Sequence, residues 1–138
     1  MTPAGLSLGF WILGRETRVS GIAPILWDED RKVDIARIAN ATARLLQCDL
    51  ELSPSDILSS DEYIGDRYGV LTQEGRDALK LVAETEGIFL DPVYTSKAMA
   101  GMIDQIRKGI ITKNETVVFI HTGGLPALFA YAEDLMLS

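Results

Sequence analysis

The residues best suited to chemistry fall in two short runs. The first, His121-Thr122-Gly123-Gly124, follows the apolar run Thr116-Val117-Val118-Phe119-Ile120. That run is β-branched and apolar, which reads as a strand, and ligands in open α/β sheets gather beyond the carboxyl ends of strands. The two glycines let a ligand approach the backbone closely, and Thr122 offers a hydroxyl that donates and accepts. Taken alone, the run also fits a plain strand-to-helix turn. The second run, Glu86 to Ala98, reads E-G-I-F-L-D-P-V-Y-T-S-K-A and carries the phenol of Tyr94, the hydroxyl of Thr95 and the amine of Lys97.

Other reactive side chains are sparse. The sequence has 1 histidine, His121, and 1 cysteine, Cys48. One cysteine excludes an intrachain disulfide, and one of each excludes a structural zinc site. Cys48 ends a helical pattern and reads as an inert thiol. Asp28-Glu29-Asp30 reads as the solvated start of a helix, so no metal site is expected. Trp11 and Trp27 are expected in the core or at an interface. Asn40-Ala41-Thr42 and Asn114-Glu115-Thr116 match the glycosylation pattern by chance.

The elements that position these residues follow from the hydrophobic pattern. The 138 residues are 47% hydrophobic and 24% charged, enough for one modest domain with a real core. The net charge of −7 is spread along the chain, which argues against a nucleic-acid backbone as partner. No apolar run approaches a bilayer span, no signal peptide opens the chain, and a cytoplasmic location is the expectation.

A short buried helix is predicted from Pro3, capped by Thr2 and stopped by Gly14. A strand is predicted over Thr17–Ala23, and a long helix from Asp28 to Gln47. Thr72 caps a helix that Gly87 ends. Thr95 or Ser96 caps another, Lys97 to Lys108, in whose first turn Lys97 is solvated. A short helix spans Leu125 to Tyr131. Strands alternate with helices and read as continuously apolar. The fold class is therefore α/β, three-layer, with a mainly parallel sheet flanked by helices. The first helix opens at residue 2 or 3 without the strand that normally precedes it, so the chain is expected to begin inside a fold.

Together the two runs resemble a family of pyridoxal-phosphate enzymes that includes D-cysteine desulfhydrase, cysteate sulfo-lyase and 1-aminocyclopropane-1-carboxylate deaminase. The family pattern T-E-G-I-x-L-D-P-V-Y-[TE]-G-K-A-M-x-G-[LM]-I is met from Thr85 to Ile103, with Ser96 in place of the usual glycine. The pattern H-T-G-G-x-P-A-L-F is met from His121 to Phe129. Thr2-Pro3-Ala4-Gly5-Leu6 resembles the tail of the family's G-G-T-x-A-G-L phosphate loop, and Tyr68 to Gly75 fits the approach to the helix after it.

The resemblance implies a truncated tryptophan-synthase-β-like fold. Residues 1–138 correspond to the C-terminal portion of its large pyridoxal-phosphate-binding domain. It places Thr2, Ala4 and Gly5 at the cofactor phosphate, with Pro3 removing one donor. Thr95 and Thr122 stand near the pyridine nitrogen, Gly123 and Gly124 leave room for the ring, and Tyr94 serves as an acid/base or binding hydroxyl. The deaminase branch carries Glu where this chain has Thr95. A neutral hydroxyl there points to β-elimination from a small amino acid, as in the desulfhydrase and sulfo-lyase branch.

The family's Schiff-base lysine lies upstream of the part represented here, and neither Lys80 nor Lys97 matches it. The expectation is thus a lyase portion, inactive without an N-terminal half, fused or supplied as a partner, with the aminocyclopropane-carboxylate deaminase as the alternative within the family. The alternative is a non-catalytic binding or interaction module that covers its apolar surface by homodimerisation.

Overall fold

The computed structural model describes residues 1–28 and 30–136. Its chain divides into two compact units, Met1–Gly21 with Trp27–Ser60, and Ile22–Leu26 with Asp61–Ser138. The fold is α/β, with helices and a small sheet.

In the first unit, α1 (Thr2–Ile12) and α2 (Arg31–Leu45) pack Ala4 and Leu8 against Ile35, Ala36, Ala39 and Ala43. Small residues along α2 allow that close approach. Helix α2 starts at Asp30, whose carboxylate accepts the Lys32 N–H at 2.9 Å. Glu29, part of the predicted acidic start, lies outside the described residues. The helix ends two residues short of expectation, because Gln47 takes a left-handed φ of 56°. Asn40 does not present a free amide: its side chain donates to Leu52 O and accepts from Leu52 N, pinning the following segment as a strand partner would. Strand β1 (Ser20–Ile22) pairs with β2 (Leu58–Ser60) in a two-stranded sheet.

In the second unit, α3 (Gln73–Glu86) and α4 (Thr95–Arg107) enclose a core of Ala78, Leu79, Val82, Leu90, Met99 and Ala100. Thr72 caps α3 by accepting from Gly75 N–H, and Gly87 ends it at φ 65°, as predicted. Two short helices follow, α5 (Ala127–Ala130) and α6 (Ala132–Met136).

Several expectations are corrected. Met1, not Thr2, precedes α1, and Thr2 lies inside the helix with no side-chain cap. That helix is apolar all round but buries only Ala4 and Leu8. Trp11 and Trp27 lie outside the core, which leaves only the interface half of that expectation, and Trp27 sits under the Arg31 guanidinium. Thr116–Ile120 forms no ladder with any described strand. Its composition favours extended backbone, but a strand exists only through its partners.

Candidate functional site

The second unit brings together most of the predicted ligand-facing residues. Their scaffold is the start of α4, whose capping differs from expectation. Neither Thr95 nor Ser96 caps it; both lie inside the helix and are buried. The cap is the fully buried carboxylate of Asp91. Its Oδ2 accepts from Val93 N–H and Tyr94 N–H, each at 2.8 Å, and its Oδ1 accepts from Thr95 N–H at 2.7 Å. These are the amides a helix N-terminus leaves unpaired. Asp91-Pro92 was legible as a chain-turning dipeptide, but not as the group that caps the helix.

Thr95 is locked by the same residue. Its hydroxyl donates to Asp91 Oδ1 and accepts from Asp91 N–H, both at 2.7 Å. The hydroxyl proton of Thr95 is thus committed inside the protein.

Tyr94, which precedes α4, is half-exposed, and its phenol bonds to that of Tyr68. The rings meet edge to face with centroids 6.0 Å apart. The bond to Tyr68, then burial, holds the Tyr94 phenol above the ordinary value. Tyr68 entered the sequence reading only as part of the approach to the next helix, not as a site residue. The signal available was its neighbour Gly69, at φ 81°, which turns the chain beneath the ring. Tyr131 Oη donates to the Gly69 carbonyl and fixes that turn.

The second run stands against the first. His121 Nδ1 accepts from Gly123 N–H at 3.1 Å, which leaves Nε2 to donate to Phe89 O at 2.9 Å. The imidazole is therefore the neutral Nε2–H tautomer. Gly123 and Gly124 take φ values of 95° and 96°, open only to glycine. A Cβ on Gly124 would meet Asp91 Cγ at 2.6 Å, whereas one on Gly123 would meet nothing within 4 Å. Space beside Gly123 is open. Thr122 is exposed, with its hydroxyl bonded to none of the described residues.

Lys97 is not the solvated residue expected. It is fully buried, its Nζ donates to Ile64 O at 2.6 Å, and burial pulls its pKa down. It sits on the inner side of α4, where the first turn packs on the loop at Ile64. An open groove of about 490 Å³ beside α3 and α4, lined by Glu62, Asp77, Asp104 and Arg107 among others, includes none of the predicted site residues.

Thr2, Ala4 and Gly5 belong to the first unit. Gly5 N–H closes the first turn of α1 onto Met1 O at 3.2 Å, and Pro3 has no N–H. The amides of Thr2 and Ala4 are those the helix geometry leaves over for an anion. Among the described residues no group of His, Cys, Asp and Glu is arranged to hold a metal ion, and no helix is long and apolar enough to cross a membrane.

Known proteins match this chain along nearly all of its length. A 1-aminocyclopropane-1-carboxylate deaminase of Methylobacterium nodulans is 42% identical over 130 residues, spanning 94% of this chain and 39% of that protein. The enzyme of the same name from Rhizobium rhizogenes is 40% identical over 131 residues, 95% of this chain and 39% of the relative. A solved structure described as "Crystal Structure Analysis of the ACC deaminase homologue" superposes with a TM-score of 0.86 at 38% identity, covering 98% of this chain and 40% of that one. The chain thus spans about two-fifths of the length of the relatives it matches. The sequence profile of the family described as "Pyridoxal-phosphate dependent enzyme" matches residues 1–123, a stretch that includes the Asp91-held start of α4 and reaches the first glycine of the turn. The chain belongs to the pyridoxal-phosphate dependent enzymes.

Proposed function

We propose that residues 1–138 are the C-terminal portion of a large pyridoxal-phosphate-binding domain, and that the edge formed by Tyr68, Tyr94, Thr122 and Gly123 faces the pyridine ring. The observation that carries this reading is the Asp91 contact, which brings the start of α4 against the Gly123–Gly124 turn. The residues present fit a flat aromatic group on that side: open space at Gly123, an unengaged hydroxyl at Thr122, and the Tyr94 phenol, paired with Tyr68, on the backbone that Asp91 holds. They do not supply the lysine. Lys97 is buried on Ile64 O, and the family likeness assigns the Schiff-base lysine to sequence outside this chain.

When bound, pyridoxal phosphate supplies a conjugated sink for the charge left at the substrate's α-carbon. Thr122 is the hydroxyl free to bond the ring nitrogen, since the Thr95 proton is spent on Asp91. A hydroxyl leaves that nitrogen neutral, where a carboxylate would hold it protonated. A hydroxyl rather than a carboxylate in that place would suit β-elimination of a good leaving group, sulfide or sulfite, from a small amino acid such as D-cysteine. The Tyr94 phenol, held above the ordinary value by its bond to Tyr68, would serve the departing group as an acid/base or binding hydroxyl. Deamination of 1-aminocyclopropane-1-carboxylate is the second reading, favoured by the names of the relatives.

One complementation assay separates these readings. The chain is mixed with pyridoxal phosphate and the separately expressed preceding part of the Methylobacterium nodulans relative. Sulfide release from D-cysteine, absent with either part alone, is the expected result. Release of a 2-oxo acid from 1-aminocyclopropane-1-carboxylate without sulfide would establish the deaminase instead. No product, together with an unperturbed cofactor spectrum, would leave a non-catalytic module.

A further inference from the structure

Asp91 is fully buried, yet no cationic side chain pairs with it among the described residues. A buried carboxylate is costly unless its lone pairs are met. Here four donors meet them: the amides of Val93, Tyr94 and Thr95 and the hydroxyl of Thr95. A plain helix cap needs less, since a single Ser or Asn oxygen serves that purpose. The excess is directed. Each oxygen takes two donors, and three of the four bonds end on Tyr94 or Thr95. The remaining side of the carboxylate lies against Gly124.

We propose that Asp91 is a positioning residue, whose carboxylate sets Tyr94 against Tyr68 and registers the start of α4 on the Gly123–Gly124 turn. The proposal rests on reading this edge as the pyridine side of the site, and it extends that reading to a residue that touches no ligand. Oδ2 holds the Tyr94 amide, and so fixes the direction in which the Tyr94 ring leaves the backbone. From there the phenol reaches Tyr68, whose own turn is tied down by Tyr131. Asp91→Asn replaces one carboxylate oxygen by an amide that faces N–H donors, which opposes the bonds it should accept.

The test is a double-mutant cycle on the full 138-residue chain. Phenol titration of Tyr94 is followed by NMR of ¹³C-labelled tyrosine in the wild type, D91N, Y68F and D91N/Y68F. Loss of the Asp91 charge alone would shift Tyr94 equally with and without the Tyr68 hydroxyl. Positioning predicts a larger downward shift, toward the ordinary phenol value of about 10, when Tyr68 is present. It also predicts a weaker nuclear Overhauser contact between the two rings in D91N.

Equal shifts in both backgrounds, with the ring contact retained, would overturn the proposal, whatever happens to the melting temperature. If D91N has no cooperative melt, D91S, which keeps one cap acceptor, carries the same cycle. Loss of fold in both variants also overturns it, because the carboxylate would then hold the fold rather than the site. Pyridoxal-phosphate binding to the wild type, read by its absorbance, is scored separately. Coupling without binding would remove the cofactor reading and leave the positioning role. Binding without coupling would do the reverse.

Discussion

The carboxylate carbon of Asp91 stands 2.6 Å from the point where a Cβ on Gly124 would be. Gly123 has almost the same φ but open space at its Cβ position. The two glycines therefore separate backbone strain from collision. Gly123→Ala should cost roughly 1–3 kcal/mol for the strained φ alone. Gly124→Ala should cost a further 1–3 kcal/mol or so, because the carboxylate must move. Urea unfolding of both variants reads the difference. Equal losses would mean that the Asp91 contact carries no weight.

Ser96 lies where the family carries glycine, and its buried Oγ has no hydrogen-bond partner among the described residues. An unsatisfied hydroxyl is a liability of about 1–3 kcal/mol. Alanine keeps the Cβ and removes the orphan oxygen. Ser96→Ala should therefore raise the unfolding free energy by about 1 kcal/mol after the lost packing is counted, seen as a higher urea midpoint. A drop in the midpoint would show that the hydroxyl is bonded.

Tyr63 donates to Asp104 Oδ2 at 2.6 Å, and burial followed by that bond pushes its phenol up to about 12. A group raised in the folded state contributes stability below its unfolded value and loses it as pH rises through the folded one. The contribution should be intact below about pH 10 and fade between there and about 12. Tyr63→Phe should be less stable than the wild type at pH 8, with a flatter decline above pH 10. Melting curves across that range provide the check, and parallel declines would contradict it.

The sequence contains Lys32, Lys80, Lys97, Lys108 and Lys113. Burial and the bond to Ile64 O remove Lys97 from solution. In the native chain, pyridoxal phosphate with borohydride should modify Lys97 last, and in urea as readily as the others. Peptide mass spectrometry ranks the sites. Early trapping on Lys97 in the native protein would restore it as a candidate for the covalent lysine.

Much of the site could be read from residue order, because its parts are local. Tyr94, Thr95 and the Thr122–Gly124 turn were singled out as candidates by motif, and the caps of α3 were read from their residue types. What could not be read were the long-range partners. Tyr68 and Tyr94 are joined by side chains alone, and nothing in the pattern around Tyr68 points to its partner. Lys97 looks like any helix-surface lysine until the loop at Ile64 is laid on it. Thr116–Ile120 shows the opposite failure: its composition announces a strand, but composition does not supply a neighbour to pair with. The family likeness located the residues, while the hydrogen bonds revealed that Thr95 is already spoken for.

The imidazole of His121 takes a proton bond on one nitrogen and gives one on the other. A half-turn of the ring would set a carbon against each partner, so the ring has one face-up orientation and no idle lone pair. The sole histidine of the chain is in this sense a rivet between two segments rather than a reagent. Under the reading proposed above, proton transfer at this edge would fall to oxygen, to the alcohol of Thr122 and the phenols of Tyr68 and Tyr94.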